Sequence, residues 1–179
     1  MSLATWKSAC GKAIIPVERE WLRATAAEIE AEFESPVIVN IGIFRGASLY
    51  CLRKGAPKAK LYGIDIIYPQ GHVLDKKARV VVIVGDSALC AADVEDPVHM
   101  VFVDGDHSYQ GVKADRDAWA PKIAVGGIIA FHDFKTERRV AAKHAGIKRA
   151  CLEWEEEQDM RWYLLPDVGS LRAYRRVAE

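Results

Sequence analysis

No apolar run in this chain approaches the length that spans a bilayer, so no membrane partner is expected. Neither charge is in excess. Lys and Arg together number 25, as do Asp and Glu, leaving a net charge of zero. A general nucleic-acid binder carries a basic surplus, so none is expected here. Cysteine is sparse: Cys10, Cys51, Cys90 and Cys151 lie far apart and form no Cys-x-x-Cys pair. That spacing argues against a structural zinc site and reads as free buried thiols in a reducing compartment. Lys7 and Lys12 precede no apolar signal core, and the expectation is a cytoplasmic protein. Internal repeats and low-complexity linkers are absent too. The 179 residues suit one domain, which at this size buries about 70% of the surface its unfolded chain exposes and needs no disulfide or metal to fold.

What the chain does have is a series of buried strands that stop at polar groups. Val101, Phe102 and Val103 end at Asp104-Gly105-Asp106-His107-Ser108. Ile128, Ile129, Ala130 and Phe131 end at His132-Asp133. Two apolar strands that each stop at acid and imidazole groups place chemistry at the carboxyl edge of a parallel sheet, where open α/β sheets bind ligands.

Upstream, Val37 to Ile41 reads as a buried strand that runs into Gly42-Ile43-Phe44-Arg45-Gly46-Ala47-Ser48. Glycine after a strand lets a ligand approach the backbone, and the amides of a following helix start can hold an anionic group. The strand Lys60 to Ile64 ends at Asp65, a carboxylate placed to accept two hydroxyls of a ribose diol. The strand Val80 to Val84 ends at Gly85-Asp86-Ser87, where polar side chains can reach a purine edge. A dinucleotide loop requires Gly-x-Gly-x-x-Gly, but Phe44 and Ala47 fill its later glycine positions. That disfavours NAD. The Gly-Lys-Ser/Thr ending of a phosphate loop is missing as well.

These segments resemble class I S-adenosylmethionine-dependent methyltransferases, in particular a small branch containing sugar O-methyltransferases and relatives of the catechol type. The likeness rests on NIGIFRGAS, YGIDI, GDS, FVDGDHSYQGVKAD and GGIIAFHDF in that order, with GSLRAYRR resembling the last strand. It runs from about Pro36 to the C-terminus. It implies methyl transfer to a hydroxyl of a small molecule, with Asn40, Gly42, Gly46, Ser48, Asp65, Asp86, Ser87 and Asp104 around the cofactor. It also implies a divalent cation, Mg2+ in the relatives, on Asp104 and Asp133, with His132 in the neighbouring ligand position. His107, three residues after Asp104, matches a histidine that serves the sugar enzymes as general base. Two departures stand out. The family usually has a carboxylate where Asn40 stands, and more often an oxygen ligand where His132 stands; imidazole suits zinc, manganese or iron better than magnesium.

Plainer readings stand beside these. Gly42 and Gly46 can be an ordinary strand-to-helix turn. Asp65 can be a surface carboxylate, and Asp86 or Ser87 a helix cap. Asp104 and Asp133 can brace loop amides, Asp106 can orient His107, and His107 can cap the helix that follows. Trp119 reads as core. Lys135 and Arg138 either greet an anionic substrate or sit on a solvated helix.

The alternation of strands and helices predicts an α/β, Rossmann-like doubly wound sheet, mostly parallel, with a C-terminal antiparallel hairpin. Residues 1–35 are expected as an N-terminal helical segment packed on the sheet, with Pro16 starting a helix whose Leu22, Ala26, Ile29 and Phe33 face inward. Residues 36–179 form the cofactor-binding domain. Helices are expected from about Arg45, around Tyr68 to Lys76, from Ser87, from Ser108, and from about Thr136 towards Glu156. The closing strands run from Met160 to Leu165 and from Ser170 to Val177. The rival functions are a protein that binds S-adenosylmethionine without turnover and, third, an NAD-type oxidoreductase. A homo-oligomer is compatible with the sequence.

Overall fold

The computed structural model describes residues 14–67, 80–135, 141–157 and 160–178, without the side chains of 141–144. Met1 to Ala13, the helix expected around Tyr68 to Lys76, and Thr136 to Val140 lie outside the described residues. Strands β1 (Val37–Ile41), β2 (Lys60–Asp65), β3 (Val80–Val84), β4 (Val98–Val103), β5 (Ile123–Phe131), β6 (Trp162–Leu164) and β7 (Arg172–Arg176) form one sheet. Its order is β3-β2-β1-β4-β5-β7-β6. The first five strands pair in parallel, while β7 runs antiparallel to both β5 and β6. The expected doubly wound sheet with a terminal hairpin is therefore present.

Helices α1 (Pro16–Glu32), α2 (Ala47–Gly55), α3 (Tyr109–Trp119) and α4 (Ala141–Glu157) cover the two faces. Side chains alternate across a strand, so each strand feeds both layers. Ile38, Leu61, Met100, Phe102, Ile128 and Ala130 pack with Leu22, Ala26 and Ile29 of α1 and with Leu49 and Leu52 of α2. Val39, Ile41, Ile64, Val101, Val103 and Phe131 pack with Val112 and Trp119 of α3 and with Ile147 and Trp154 of α4. Burial on both faces explains why the central strands read as continuous apolar runs. Among the described residues no helix is long and apolar enough to cross a membrane.

One expected helix is only a turn. After Ser87 the chain makes a short 3-10 segment, Leu89–Asp93, and returns to extended backbone at Val94. Cys90, Ala91 and Val94 are nevertheless buried, so the segment still covers part of the sheet.

Candidate active site

The strand order reverses between β1 and β4, and a cleft of about 590 Å³ opens at the carboxyl ends beside that reversal. This is the position open α/β sheets use for ligands, and the size suits a small molecule. The parallel hydrogen-bond pattern continues just past the strands and brings the polar tips level. Gly42 N–H donates to Ile64 O at 2.8 Å, Gly85 N–H to Asp65 O at 3.0 Å, Asp104 N–H to Ile41 O at 3.0 Å, and His132 N–H to Val103 O at 3.0 Å.

Gly42, Asp65, Asp86, Ser87 and Asp104 line the cleft, together with Phe44, Ile66, Ile67, Gly85, Gly105 and Asp106. Asn40, Gly46 and Ser48 are not among the lining residues. Gly42 has φ +80°, and a Cβ there would stand 2.0 Å from the Asp104 carbonyl oxygen. Its missing side chain makes room for the β4 tip, where the sequence suggested room for a ligand. Gly46 occupies the left-handed region at the α2 N-cap, with φ +77°. Ser48 is buried within α2. Asn40 is fully buried; its Nδ2 donates to Gly42 O at 2.9 Å, while Oδ1 has no hydrogen-bond partner.

Several carboxylates are partly committed inside the protein. Asp65 Oδ2 accepts the Ile43 and Phe44 N–H groups at 2.8 and 3.1 Å, so it shapes the glycine loop as well as lining the cleft. Asp86 Oδ1 accepts from Ala88 and Leu89 N–H, which is the capping role. Ser87 Oγ donates to Asp115. Asp106 accepts from Ser108 N–H at 2.9 Å and Ser108 Oγ–H at 2.7 Å and so braces the start of α3. Ser108, not His107, caps α3, accepting Gly111 N–H. Lys135 pairs with Asp167 at 2.6 Å. Arg138 lies outside the described residues.

At the tips of β4 and β5 the acid and imidazole groups do meet. His107 Nε2 lies 3.4 Å from Asp104 Oδ1, and its Nδ1 lies 3.9 Å from Asp133 Oδ2. Asp133 holds left-handed backbone, φ +58°. Ligand atoms of Asp104, His107 and Asp133 all lie within 4.8 Å of one another, enough to hold a metal ion. His132 sits behind them, buried, with Nδ1 3.1 Å from Asp104 Oδ1 and Nε2 3.2 Å from Glu18 Oε2. Both its nitrogens face carboxylates, so neither lone pair is offered to an ion. Of the two imidazoles, the one grouped with both aspartates within 4.8 Å is His107.

The residue that sequence reasoning missed is Glu18, in the first turn of α1. It is 2% exposed and accepts from Ile15 N–H at 3.0 Å, from Ser170 N–H and Oγ–H at 2.8 Å each, and from His132. Burial alone would raise its pKa, but hydrogen bonds from His132, Ser170 and Ile15 overcome this and hold it at about 2. Burial likewise opposes a charge on His132, yet the Asp104 and Glu18 carboxylates raise its pKa to about 10. Asp104 too is held below the ordinary carboxylate range, since contacts with His107 and His132 outweigh its burial. An acid three residues into a helix signals only an N-terminal cap. Nothing local announces partners 114 and 152 residues away. Gly146 of α4 is a second unforeseen element. A Cβ there would lie 2.3 Å from Tyr109 N and 2.6 Å from His107 O, so α4 packs directly on the backbone that carries His107.

A doubly wound sheet whose strand tips carry a glycine loop, an acid after β2 and an acid–histidine cluster after β4 and β5 defines a class I methyltransferase fold. The sequence model of the family described as "Methyltransferase domain" matches residues 39–134, more than half of the chain, and the protein belongs to that family. An uncharacterized protein of Sinorhizobium fredii, y4gI, is 45% identical over 42 residues, which is 23% of this chain and 5% of that relative. Two solved structures share the fold. MycE methyltransferase from the mycinamycin biosynthetic pathway, in complex with Mg, SAH and mycinamycin VI, aligns with a TM-score of 0.61 and 19% identity over 80% of this chain. The O-methyltransferase NovP aligns with a TM-score of 0.65 and 15% identity over 89% of this chain and 79% of its own. The chain spans under half of MycE, 45% of its length.

Proposed function

We propose that this protein transfers a methyl group from S-adenosylmethionine to a hydroxyl oxygen of a small molecule. The observation that carries the reading is the meeting of Asp104, His107 and Asp133 beside a ligand-sized cleft at the strand-order reversal. Family membership supports methyl transfer, and the complex of MycE with Mg and SAH and the fold shared with the O-methyltransferase NovP agree with it. The orphaned, fully buried Asn40 Oδ1 behind the glycine loop is an acceptor waiting for a donor, as the cofactor's ammonium group is.

The site's chemistry also fits a divalent cation. Asp104 and Asp133 supply hard oxygen ligands, a pair that suits magnesium or manganese, while His107 is kept for the proton. A bound cation would lower the pKa of a coordinated hydroxyl. S-adenosylmethionine, held by cleft residues such as Gly42, Asp65 and Asp86, would supply the sulfonium methyl to the acceptor oxygen, with the thioether as leaving group. His107, which reaches towards both Asp104 and Asp133 beside the cleft, takes the hydroxyl proton. His132, charged and buried, holds Asp104 from behind and takes no proton.

Calorimetry with SAH, with and without Mn2+ or Mg2+, tests the reading, followed by a screen of hydroxyl acceptors with and without chelator. SAH binding, together with turnover that chelator abolishes and metal restores, is expected. SAH binding with no turnover on any sugar or catechol acceptor would favour a binding role. Full turnover in chelator would return Asp104 and Asp133 to bracing the loop.

A further inference from the structure

Ser87 lines the cleft at the tip of β3, and its single hydroxyl proton is already used inside the protein. Its Oγ–H donates to Asp115 on α3, and its carbonyl accepts the Trp119 indole N–H at 3.1 Å. One helix thus grips Ser87 from two sides. Asp115 is 2% exposed, and among the described residues the charges that act on it are those of Asp86 beyond β3 and Asp106 beyond β4, both negative. Its neighbour Arg116 turns away to Asp117 and Glu157. A buried carboxylate without a counter-charge is costly to keep, and packing of α3 does not require one.

The charge has a consequence for the cleft. An ionised carboxylate only accepts hydrogen bonds, while a hydroxyl has one proton and two lone pairs. With its proton given to Asp115, Ser87 can offer the cleft only acceptor capacity. Asp86, on the same edge, is a carboxylate whose Oδ1 is occupied by Ala88 and Leu89 N–H; it too can only accept. The edge therefore matches ligand groups that donate. We infer that Asp115 is a positioning residue that fixes Ser87 as an acceptor and so makes the cleft selective for a 6-amino purine over a 6-oxo purine. This rests on the reading that the cleft holds S-adenosylmethionine. Burial pushes the Asp115 carboxyl up to about 6; the Ser87 bond opposes this, and Asp86 and Asp106 reinforce it. Below that pH the carboxyl gains a proton, can donate to Ser87, and the selectivity weakens.

The test titrates two ligands into the full-length protein between pH 5 and 8: SAH, and the same molecule with hypoxanthine in place of adenine. Sites built to bond a specific donor reject analogues that lack it, and the wild type should prefer SAH by about a hundredfold or more at pH 7.5. Asp115→Asn can donate to Ser87 and release its hydroxyl to donate outward, so the preference should drop at least about tenfold and lose its dependence on pH. Ser87→Ala leaves the carboxylate in place and should also flatten both; it carries the test if Asp115→Asn fails to fold. Tight SAH binding with the preference unchanged in a folded Asp115→Asn, or a wild-type preference that ignores pH, overturns the role of Asp115 alone. Binding of neither ligand by the wild type overturns the cofactor reading, and this assignment with it.

Discussion

Replacing Glu18 by Gln tests whether the buried hub at the base of the site stabilises the fold. The glutamate is 2% exposed and receives hydrogen bonds from Ile15, Ser170 and His132. The amide keeps the shape and one acceptor oxygen, but turns its NH2 towards groups that themselves donate. It also leaves the buried His132 with one carboxylate partner fewer. The fall of the Glu18 pKa from 4.5 to about 2 corresponds to about 3 kcal/mol of preference for the charged form. Charged hydrogen bonds, worth roughly 1.5–3 kcal/mol each, give the same order. A loss of about 2–4 kcal/mol would lower the unfolding midpoint by roughly 5–15 °C for a chain of this size. The pH dependence adds a second handle. Glu18 is depressed, so its contribution is full above about 4.5 and lost as pH falls towards 2. His132 is raised, so its contribution is full below 6.5 and lost as pH climbs through about 10. The two describe one ion pair and are not added. Urea unfolding of the wild type from pH 3 to 10 should show both slopes, and Glu18→Gln should flatten them. A variant within about 0.5 kcal/mol of wild type, with its alkaline slope intact, would refute the hub.

Gly42→Ala should destabilise by more than about 2 kcal/mol in urea unfolding, since the new methyl meets the Asp104 carbonyl and φ is positive; wild-type stability would mean that the β1 and β4 tips are not held close. Asp65→Ala should weaken SAH by about 1.5–3 kcal/mol in calorimetry, through lost cofactor contacts and a loosened glycine loop, and unchanged affinity would remove Asp65 from the site. His107→Ala should cut turnover on an identified acceptor by roughly a hundredfold to ten-thousandfold while SAH affinity stays near wild type; near-normal turnover rules out the base.

Most of the framework was legible because it is written in local pattern. Runs such as Val37 to Ile41 and Val98 to Val103 are buried on both faces, and a strand buried in that way has an apolar run as its signature. Their ends were legible too, because each run gives way to a cluster of glycine and polar residues where the sheet stops, although Asn40 and His99 lie buried inside the runs themselves. The segment after Ser87 misled for the opposite reason. Its composition suits a helix, but Ser87 is tied to Asp115 and Trp119, and the chain turns once before re-entering the sheet. Within the site, residue type and order pointed to strand tips that the structure brings level at one edge of the sheet. They were silent on how each polar atom is used, since Asp106 and Asp86 have the same side chain as Asp104 but take backbone amides instead.

The sequence by itself determined the class of fold, the order of the polar tips and the absence of an NAD-type loop. Each of these follows from periodicity, chain order or a glycine at a given step. Tertiary structure alone decided that Gly42 makes room for Asp104, that His132 is locked between Glu18 and Asp104, and that His107 is the more exposed of the two imidazoles beside Asp104 and Asp133. It also decided that Ser87 donates inward to Asp115. The physical reason is the same in every case. A hydrogen bond or a steric limit depends on which atoms share a few ångströms, and the partners here come from strands, helices and loops far apart in the chain.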